Sequence, residues 1–237
     1  MKMKALILNS GMGSRMGVLT SEHPKCMTEI DDRETILSRQ LKLLVKFGIT
    51  EVVMTTGYFD RVLTDYCHGL GLPVQYRFVN NPIYNRTNYI YSIFLAKEYL
   101  NDDIVLLHGD LVFEESVLFD ALSFPKSCMT VSSTIPLPSK DFKAVIFEDW
   151  IVKVGVEFFE NALAAQPFYK LCQHEWNVWL DRIIGFCEAG KVSCYAENAL
   201  NEVTDRCYIY PLDIQNRLCN EIDTPEELKD ITQKLKI

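Results

Sequence analysis

The sequence is short of the features that mark membrane, exported and zinc-binding proteins. No apolar run approaches the ~18 residues of a membrane span, and the first one, residues 5–8, ends after four residues. A signal peptide needs an apolar segment of roughly 7–15 residues near the N-terminus, and none is present there. The 8 cysteines form no C-x-x-C pair and accompany only 4 histidines, which gives little support to a zinc site. These absences predict a cytoplasmic protein without a membrane partner, whose reduced cysteines act as small apolar side chains.

Positive charge is also scarce: 24 Lys and Arg residues face 32 Asp and Glu residues, for a formal net charge of −8. This balance repels nucleic acid, so we expect no nucleic-acid partner. Yet residues 1–25 carry a net charge of +3 and the remainder −11, which together give −8. The N-terminal segment is therefore positive against the trend, and it points to a site for one small anion.

The 237 residues, 48% hydrophobic and 24% charged, are typical of a folded globular protein. Strand-like segments at residues 5–8, 51–55, 74–79, 104–108, 129–134 and 208–212 alternate with helical patterns at 35–47, 89–100 and after Thr224. This alternation predicts an α/β fold, a Rossmann-like, mainly parallel mixed sheet with helices on both faces. One domain spanning residues 1–237 is the simplest arrangement, with residues 136–205 as an irregular, substrate-specific part.

The densest chemistry follows the first strand-like segment. It comprises Leu8, Asn9, Ser10, Gly11, Met12, Gly13, Ser14 and Arg15, with Thr20 and Pro24-Lys25 further on. Glycines let backbone N–H groups approach phosphate oxygens, and the Arg15 and Lys25 side chains neutralise phosphate charge. A Walker loop (GxxxxGK[ST]) is absent. A dinucleotide-binding turn (GxGxxG) is not matched either, because Met16 stands at the third glycine position.

A third interpretation accounts for all of these residues. The pattern L-x-x-G-x-G-x-R-M, followed by Thr and Pro-Lys, resembles the signature of the nucleotidyltransferases that make sugar nucleotides and CDP-activated small molecules. The resemblance implies a fold like that of the nucleotide-diphospho-sugar transferases. It also implies that residues 8–14 bind the nucleotide and that Arg15 and Lys25 are catalytic. The sequence departs from the family's usual Ala-Ala at Asn9 and Ser10, positions that line the base pocket in the family.

Two acidic segments are candidates for a magnesium site. Asp110 follows the strand-like segment 104–108 after a single glycine. The family carries a metal-binding aspartate at the corresponding position. Residues 221–228 resemble the E-I-D-T-P-E-[DE]-L segment of the family's small cytidylyltransferases, in which the aspartate, here Asp223, is a second Mg²⁺ ligand. Glu221 lies two residues earlier, so on an extended segment both carboxylates face the same side. Asp223 has an alternative role in capping the helix that follows.

The middle of the chain points to the nucleotide and the acceptor. Residues 80–92 are similar to the N-P-x-Y-x-x-T-N-N-x-Y-S segment of phosphocholine and related cytidylyltransferases. The resemblance implies that CTP is contacted by Asn80, Asn88 and Ser92, and by Gly57 and Tyr58 after the second strand. Asn88 could equally be only a helix N-cap. By the same resemblance Lys143 is a candidate to hold the acceptor phosphate. The aromatic residues between 142 and 179 form either a cage for an amine or part of the core.

The expected reaction is transfer of CMP from CTP to a small phosphate or phosphonate acceptor, with Mg²⁺ as cofactor and pyrophosphate as the second product. Phosphocholine, aminoethylphosphonate and an amino-acid phosphate such as glutamine phosphate are the acceptors considered. A sugar-1-phosphate nucleotidylyltransferase that uses UTP or TTP is the alternative enzyme. A nucleotide-sensing domain without activity is the alternative from another class. The sequence leaves open whether the chain is a monomer or a homodimer.

Overall fold

The structure, a computed structural model, describes residues 3–235. The strands are β1 Met3–Leu8, β2 Glu51–Thr56, β3 Gln75–Asn80, β4 Asp103–His108, β5 Leu111–Phe113, β6 Cys128–Ser132, β7 Lys143–Phe147, β8 Trp150–Gly155, β9 Ala162–Leu171, β10 Tyr210–Asp213 and β11 Cys219–Glu221. The α-helices are α1 Ile36–Lys46, α2 Asp60–Gly69, α3 Tyr89–Ala96, α4 Glu115–Ser123, α5 Gln173–Glu188, α6 Ala196–Leu200 and α7 Pro225–Leu235. No helix in this part of the chain combines the length and apolarity needed to cross a bilayer.

A nine-stranded mixed sheet forms the centre of the molecule. Along its main path the strands lie in the order β10-β6-β9-β4-β1-β2-β3, and β4, β1, β2 and β3 are mutually parallel. Strand β9 runs antiparallel to both β4 and β6, and the β7–β8 hairpin pairs with β9. Helices cover both faces, since one apolar cluster joins α3, α5 and α6 to the sheet and another joins α1, α2 and α4 to it. The predicted fold class is confirmed.

The elements begin and end where the local chemistry predicts. The Thr35 side chain accepts a hydrogen bond from the Ser38 N–H at 3.1 Å at the start of α1, and Gly48 follows this helix with a φ of 80° that glycine tolerates. Thr224 and Glu227 form a capping box at the start of α7. The same Glu227 carboxylate accepts from the backbone N–H of Asp223 at 2.7 Å, so the α7 cap also fixes the segment that carries Asp223.

Residues 136–205 are regular rather than irregular, which corrects the sequence-based expectation. They contain the ten-residue strand β9 and the sixteen-residue helix α5. Pro167 lies within β9 and has no N–H to donate to a neighbouring strand. The pairing of β9 with β6 shifts register opposite this proline, between Met129 and Val131. In α5, Trp176 and Trp179 are fully buried, and their indole N–H groups donate to backbone carbonyls at 2.8 and 2.9 Å. Most of the aromatic cluster therefore belongs to the core.

A third, smaller apolar cluster joins the N-terminal loop to the end of the chain. It contains Met16, Ile30, Ile36, Val112, Leu218, Ile222 and Ile231. Strands β5 and β11 pair antiparallel beneath it, with Glu221 opposite Leu111. This packing brings residues 14–25, the β4–β5 turn and the start of α7 to one edge of the sheet, next to the carboxyl ends of β1 and β4.

Candidate active site

A cavity of about 250 Å³ opens at the carboxyl end of β1. It is lined by Leu8, Asn9, Gly11, Gly13, Ser14, Arg15, Pro24, Lys25, Cys26, Gly109, Asp110 and Asp223. Gly13 has a φ of 64°, and a Cβ built there would lie 2.9 Å from the Lys25 Cβ. The glycine is needed both for its backbone conformation and for the close approach of Lys25. The predicted phosphate loop is thus a cavity wall in the structure.

Two cations and two carboxylates meet across this cavity. The Lys25 ammonium group forms ion pairs with Asp110 and, at 2.5 Å, with Asp223. The Arg15 guanidinium group lies 2.8 Å from the other Asp223 oxygen. Burial opposes a charged lysine, yet the two carboxylates raise the pKa of Lys25 above its usual value. The structure therefore brings together four residues that the sequence analysis proposed separately.

The Asp110 carboxylate also belongs to a candidate metal centre. Asp110, Glu221 and His108 each offer a ligand atom, and these atoms lie within 4.8 Å of one another. The backbone N–H of Ile222 donates to the Asp110 carbonyl at 3.0 Å, so the β5–β11 pairing sets the spacing of the carboxylates. Burial and then the Asp110 charge raise the pKa of Glu221 to about 7. Buried Asp110 Oδ1 has no hydrogen-bond partner among the described residues. Surplus negative charge and an unpartnered carboxylate oxygen fit a divalent cation.

His108 is a ligand candidate that sequence reasoning missed. Its Nδ1 lies 2.8 Å from Glu221 Oε1, and its buried Nε2 has no partner among residues 3–235. Burial opposes protonation, but the bond to Glu221 and the neighbouring carboxylates raise the pKa of His108 overall. The available signal was its position, because His108 ends the strand that leads into the Asp110 turn.

Two further cavities adjoin the first. One of about 190 Å³ is lined by Leu8, Ser10, Gly11, Asn81, Tyr84, Thr87, Asn88, Tyr89, Ser92, His108 and Asp110. Another, of about 240 Å³, is lined by Arg15, Asn88, Tyr89, His108, Asp110, Lys140, Asp141, Phe142, Val156, Tyr195, Glu221 and Asp223. Asp110 lines all three cavities. Ligands that filled them would therefore meet beside this carboxylate.

The residues proposed to contact the nucleotide divide into two groups. Asn88 and Ser92 line the 190 Å³ cavity, although the Asn88 side chain also caps α3 by accepting from the Tyr89 N–H at 2.7 Å. Gly57, Tyr58, Asn80 and Met12 are not among the residues that line the three cavities. A Cβ built at Gly57 would overlap the Ser10 carbonyl oxygen, and the Asn80 amide donates to the Gly57 carbonyl at 3.1 Å. Gly57 therefore contacts the phosphate loop at Ser10, and Asn80 contacts Gly57.

Lys143 lies outside the residues that line the three cavities. Its ammonium group donates to the Pro138 carbonyl at 2.7 Å and lies 4.2 Å from the centre of the Phe159 ring. The reason is strand alternation, because successive residues of an extended chain point to opposite sides. Phe142, one residue earlier, faces the 240 Å³ cavity, so Lys143 faces away from it.

The Asn9 side chain lies so close to the Gly109 backbone that only glycine fits at position 109. This contact can be tested by substitution. A Cβ built at Gly109 would overlap Asn9 Oδ1. We expect Gly109→Ala to lower the free energy of unfolding by roughly 1–3 kcal/mol through overpacking. Adding Asn9→Ala should recover most of this loss, because it removes the overlapping amide.

Denaturant unfolding of the two single variants and the double variant measures this coupling. Gly69→Ala is the matched control, because nothing lies within 4 Å of a Cβ built there. Additive effects of the two substitutions would contradict the contact.

Comparisons with known proteins agree with the resemblance stated above. The profile of the MobA-like NTP transferase domain matches residues 5–124. A CMP-5'-(3-aminopropyl)phosphonate synthase of Streptomyces rubellomurinus is 34% identical over 55% of this chain and 20% of its own length. A CTP:phosphoglutamine cytidylyltransferase of Campylobacter jejuni is 31% identical over 47% of this chain and 45% of its own length. The chain thus spans less than half the length of either relative.

The fold comparison covers the whole chain. The solved CTP:phosphocholine cytidylyltransferase of Streptococcus pneumoniae superposes with a TM-score of 0.76 at 17% identity, over 99% of this chain and 100% of that one. At this identity the likeness establishes the fold alone. Taken with a profile that covers half of the sequence, it leads to a plain conclusion: the chain belongs to the MobA-like NTP transferase domain family.

Proposed function

We propose that the chain transfers CMP from CTP to a small phosphate or phosphonate acceptor and releases pyrophosphate. The observation that carries the proposal is the meeting of three cavities at Asp110. The glycine loop with Arg15 and Lys25 is suited to a triphosphate. The 190 Å³ cavity beside Asn88 and Ser92 is suited to a nucleoside, and the 240 Å³ cavity to an acceptor. The names of the two relatives, which refer to CMP or CTP and to a phosphonate or a phosphorylated amino acid, favour this choice of substrates.

The chain's own residues hold the reacting groups in place. Arg15 and the loop amides of residues 11–14 bind the β- and γ-phosphates, which become the leaving group. Lys25 lies deeper, with its side chain 12% exposed, and stabilises the charge that develops at the α-phosphate. An acceptor oxygen attacks the α-phosphorus in line. A new P–O bond to the acceptor forms while the bond between the α-phosphorus and its bridging oxygen to the β-phosphate breaks. No general base is needed, because the acceptor phosphate is already an anion.

The residues that would hold a magnesium ion are Asp110, Glu221 and His108, whose ligand atoms lie close together. Asp223, the second ligand by resemblance, is outside that cluster and is paired with Arg15 and Lys25. Such an ion would neutralise phosphate charge and so reduce the repulsion between two anionic reactants. In the structure Lys25 and Arg15 neutralise Asp223, and Lys25 also neutralises Asp110. The same carboxylates thus position the two cations of the phosphate loop at the cavity wall.

Gln40 positions Asp110 without lining any of the three cavities. Its buried amide donates to the carbonyls of His108 at 2.9 Å and Leu111 at 2.7 Å, on either side of the Asp110 turn. We expect Gln40→Met, which keeps the length but removes both donors, to lower kcat about tenfold, a barrier change of about 1.4 kcal/mol. The KM for CTP should change less.

Steady-state kinetics together with thermal unfolding measure the effect of Gln40→Met. Gln233→Met is the control, because Gln233 is exposed on α7. An unchanged kcat in a variant that is merely less stable would show that Gln40 only supports the fold.

Pyrophosphate release with CTP, UTP, TTP, ATP and GTP against a panel of acceptors tests the proposed reaction. The panel holds phosphocholine, 2-aminoethylphosphonate, glutamine phosphate and glucose 1-phosphate. We expect turnover with CTP and at least one of the first three. Turnover confined to glucose 1-phosphate with UTP or TTP would replace the proposal by a sugar-1-phosphate nucleotidylyltransferase. Tight nucleotide binding without turnover would replace it by a sensing domain.

A further inference from the structure

A buried carboxylate lies behind the 240 Å³ cavity. Glu197, in α6, is 1% exposed. It accepts hydrogen bonds from the Tyr169 hydroxyl, at 2.9 Å, and from the Tyr89 hydroxyl. These two tyrosines are its side-chain partners within residues 3–235, and it forms no ion pair there. Its hydrogen-bond donors are therefore both neutral hydroxyl groups, and no cation is paired with this carboxylate in the described part of the chain.

The partners of Glu197 connect it to the cavity wall. Tyr89 lines both the 190 Å³ and the 240 Å³ cavities, and its ring lies 4.7 Å from the ring of His108 and 5.9 Å from that of Tyr195. The Tyr195 ring in turn lies 5.2 Å from that of Phe142. Three aromatic side chains therefore form one side of the 240 Å³ cavity, and the buried carboxylate lies directly behind Tyr89.

The cavity wall also carries acidic side chains. Asp110, Asp141, Glu221 and Asp223 line it together with Arg15, Lys140 and His108. Of these acids, Asp141 belongs neither to the candidate metal centre nor to the ion pairs of Lys25 and Arg15. Partial desolvation, and then the Asp223 and Glu227 charges, raise the pKa of Asp141, as expected where acids crowd together. Aromatic faces and carboxylates are the groups that attract an ammonium ion.

We propose that Glu197 is the specificity-determining counter-charge that makes the acceptor cavity select a cationic acceptor, a phosphate or phosphonate that carries an ammonium group, over a neutral one. The inference rests on the proposed function, because it assumes that this cavity binds the acceptor. Glu197 acts through Tyr89, whose hydroxyl it holds and whose ring faces the ligand. In a poorly solvated interior a charge at short range has a large effect.

The competing explanation is that Glu197 merely ties α6 to α3 and β9 through its two tyrosines. Glu197→Gln separates these explanations. A glutamine accepts from one tyrosine and donates to the other, so it keeps the contacts and removes the charge. Tyr169→Phe does the reverse, since it removes one hydrogen bond and keeps the carboxylate. Glu188→Gln, at an exposed position of α5, removes the same charge from the protein surface.

The test compares kcat/KM for ammonium acceptors with that for neutral isosteres, at saturating CTP. Phosphocholine is paired with 3,3-dimethylbutyl phosphate, and phosphoethanolamine with n-propyl phosphate. We expect the protein to prefer the ammonium member of at least one pair. Glu197→Gln should reduce that preference about tenfold or more through the KM of the acceptor, without a comparable change in the KM for CTP. Tyr169→Phe and Glu188→Gln should keep the preference.

Two results would overturn the inference. One is an unchanged preference in Glu197→Gln, and the other is an equal loss in Tyr169→Phe, which would indicate a structural role. No turnover with CTP of either pair, of 2-aminoethylphosphonate or of glutamine phosphate would instead contradict the proposed function. If Glu197→Gln does not fold, inhibition of the unmodified protein by tetramethylammonium chloride, against sodium chloride at equal ionic strength, decides the matter. Inhibition by tetramethylammonium that is competitive with the acceptor supports a cation site in this cavity. A lack of competitive inhibition overturns the inference.

Discussion

Replacing Lys25 by alanine is expected to lower kcat for nucleotide transfer by on the order of 10²-fold or more, because it removes a preorganised cation from the reacting phosphate. Lys25 is mostly buried and lies between Asp110 and Asp223. Its loss leaves no other lysine in the cavity that holds the phosphate loop. Steady-state kinetics with CTP and the best acceptor measure the effect.

Lys46→Ala is the matched control for this prediction, because Lys46 is exposed and pairs with Glu115 on the protein surface. It should retain full activity. The Lys25→Ala protein also loses two ion pairs, so its unfolding should be recorded beside its kinetics. Full activity in a folded Lys25→Ala protein would contradict the mechanism.

Replacing Asp110 by asparagine is expected to lower kcat/KM by a similar factor or more. Asp110 lines all three cavities and carries a buried oxygen that has no partner among the described residues. Asparagine keeps the shape but removes the charge that would hold the proposed cation, and such a cation would supply several kcal/mol of transition-state stabilisation. Calorimetric titration of Mn²⁺ in the presence of CTP should show weaker binding to this variant.

A second readout of Asp110→Asn does not depend on activity. Burial and the Asp110 charge raise the pKa of Glu221 to about 7. Removing a neighbouring negative charge favours ionisation of Glu221, so its pKa should fall towards the ordinary value near 4.5. Carbon-13 NMR of the Glu221 carboxyl group follows this titration. Asp149→Asn, on the exposed β7–β8 turn, is the control and should leave both the Glu221 pKa and Mn²⁺ binding unchanged. An unchanged Glu221 pKa in Asp110→Asn would contradict the placement of Asp110 beside Glu221.

Much of the fold could be predicted, because its strands and helix ends depend on local sequence patterns. Residues 5–8 and 104–107 are continuous apolar runs, which is what strands buried on both faces require, and both lie in the centre of the sheet. The caps at Thr35 and Thr224 depend on side chains that bond to backbone within three residues. The glycine loop could be found for the same reason, since its spacing is visible in one stretch of sequence.

The parts that sequence reasoning missed depend on contacts between distant segments. Glu197 bonds to Tyr89 and Tyr169 across 108 and 28 positions, and no local pattern distinguishes it from a surface glutamate. Gln40 reaches the Asp110 turn from a helix whose apolar face accounts for its burial equally well. Lys143 was assigned to the acceptor by resemblance alone, whereas its side-chain direction is set by the strand that begins there.

The central claim is that an acceptor oxygen becomes bonded to the α-phosphorus of CTP. Phosphorus-31 NMR of a reaction that contains CTP, Mg²⁺ and each ammonium acceptor tests it most directly. The account predicts that CTP is consumed only when the acceptor is present, and that pyrophosphate and one CMP–acceptor anhydride, seen as two coupled phosphorus signals, appear in equal amounts. Release of pyrophosphate with free CMP and unchanged acceptor, or no loss of CTP with any acceptor, would contradict it.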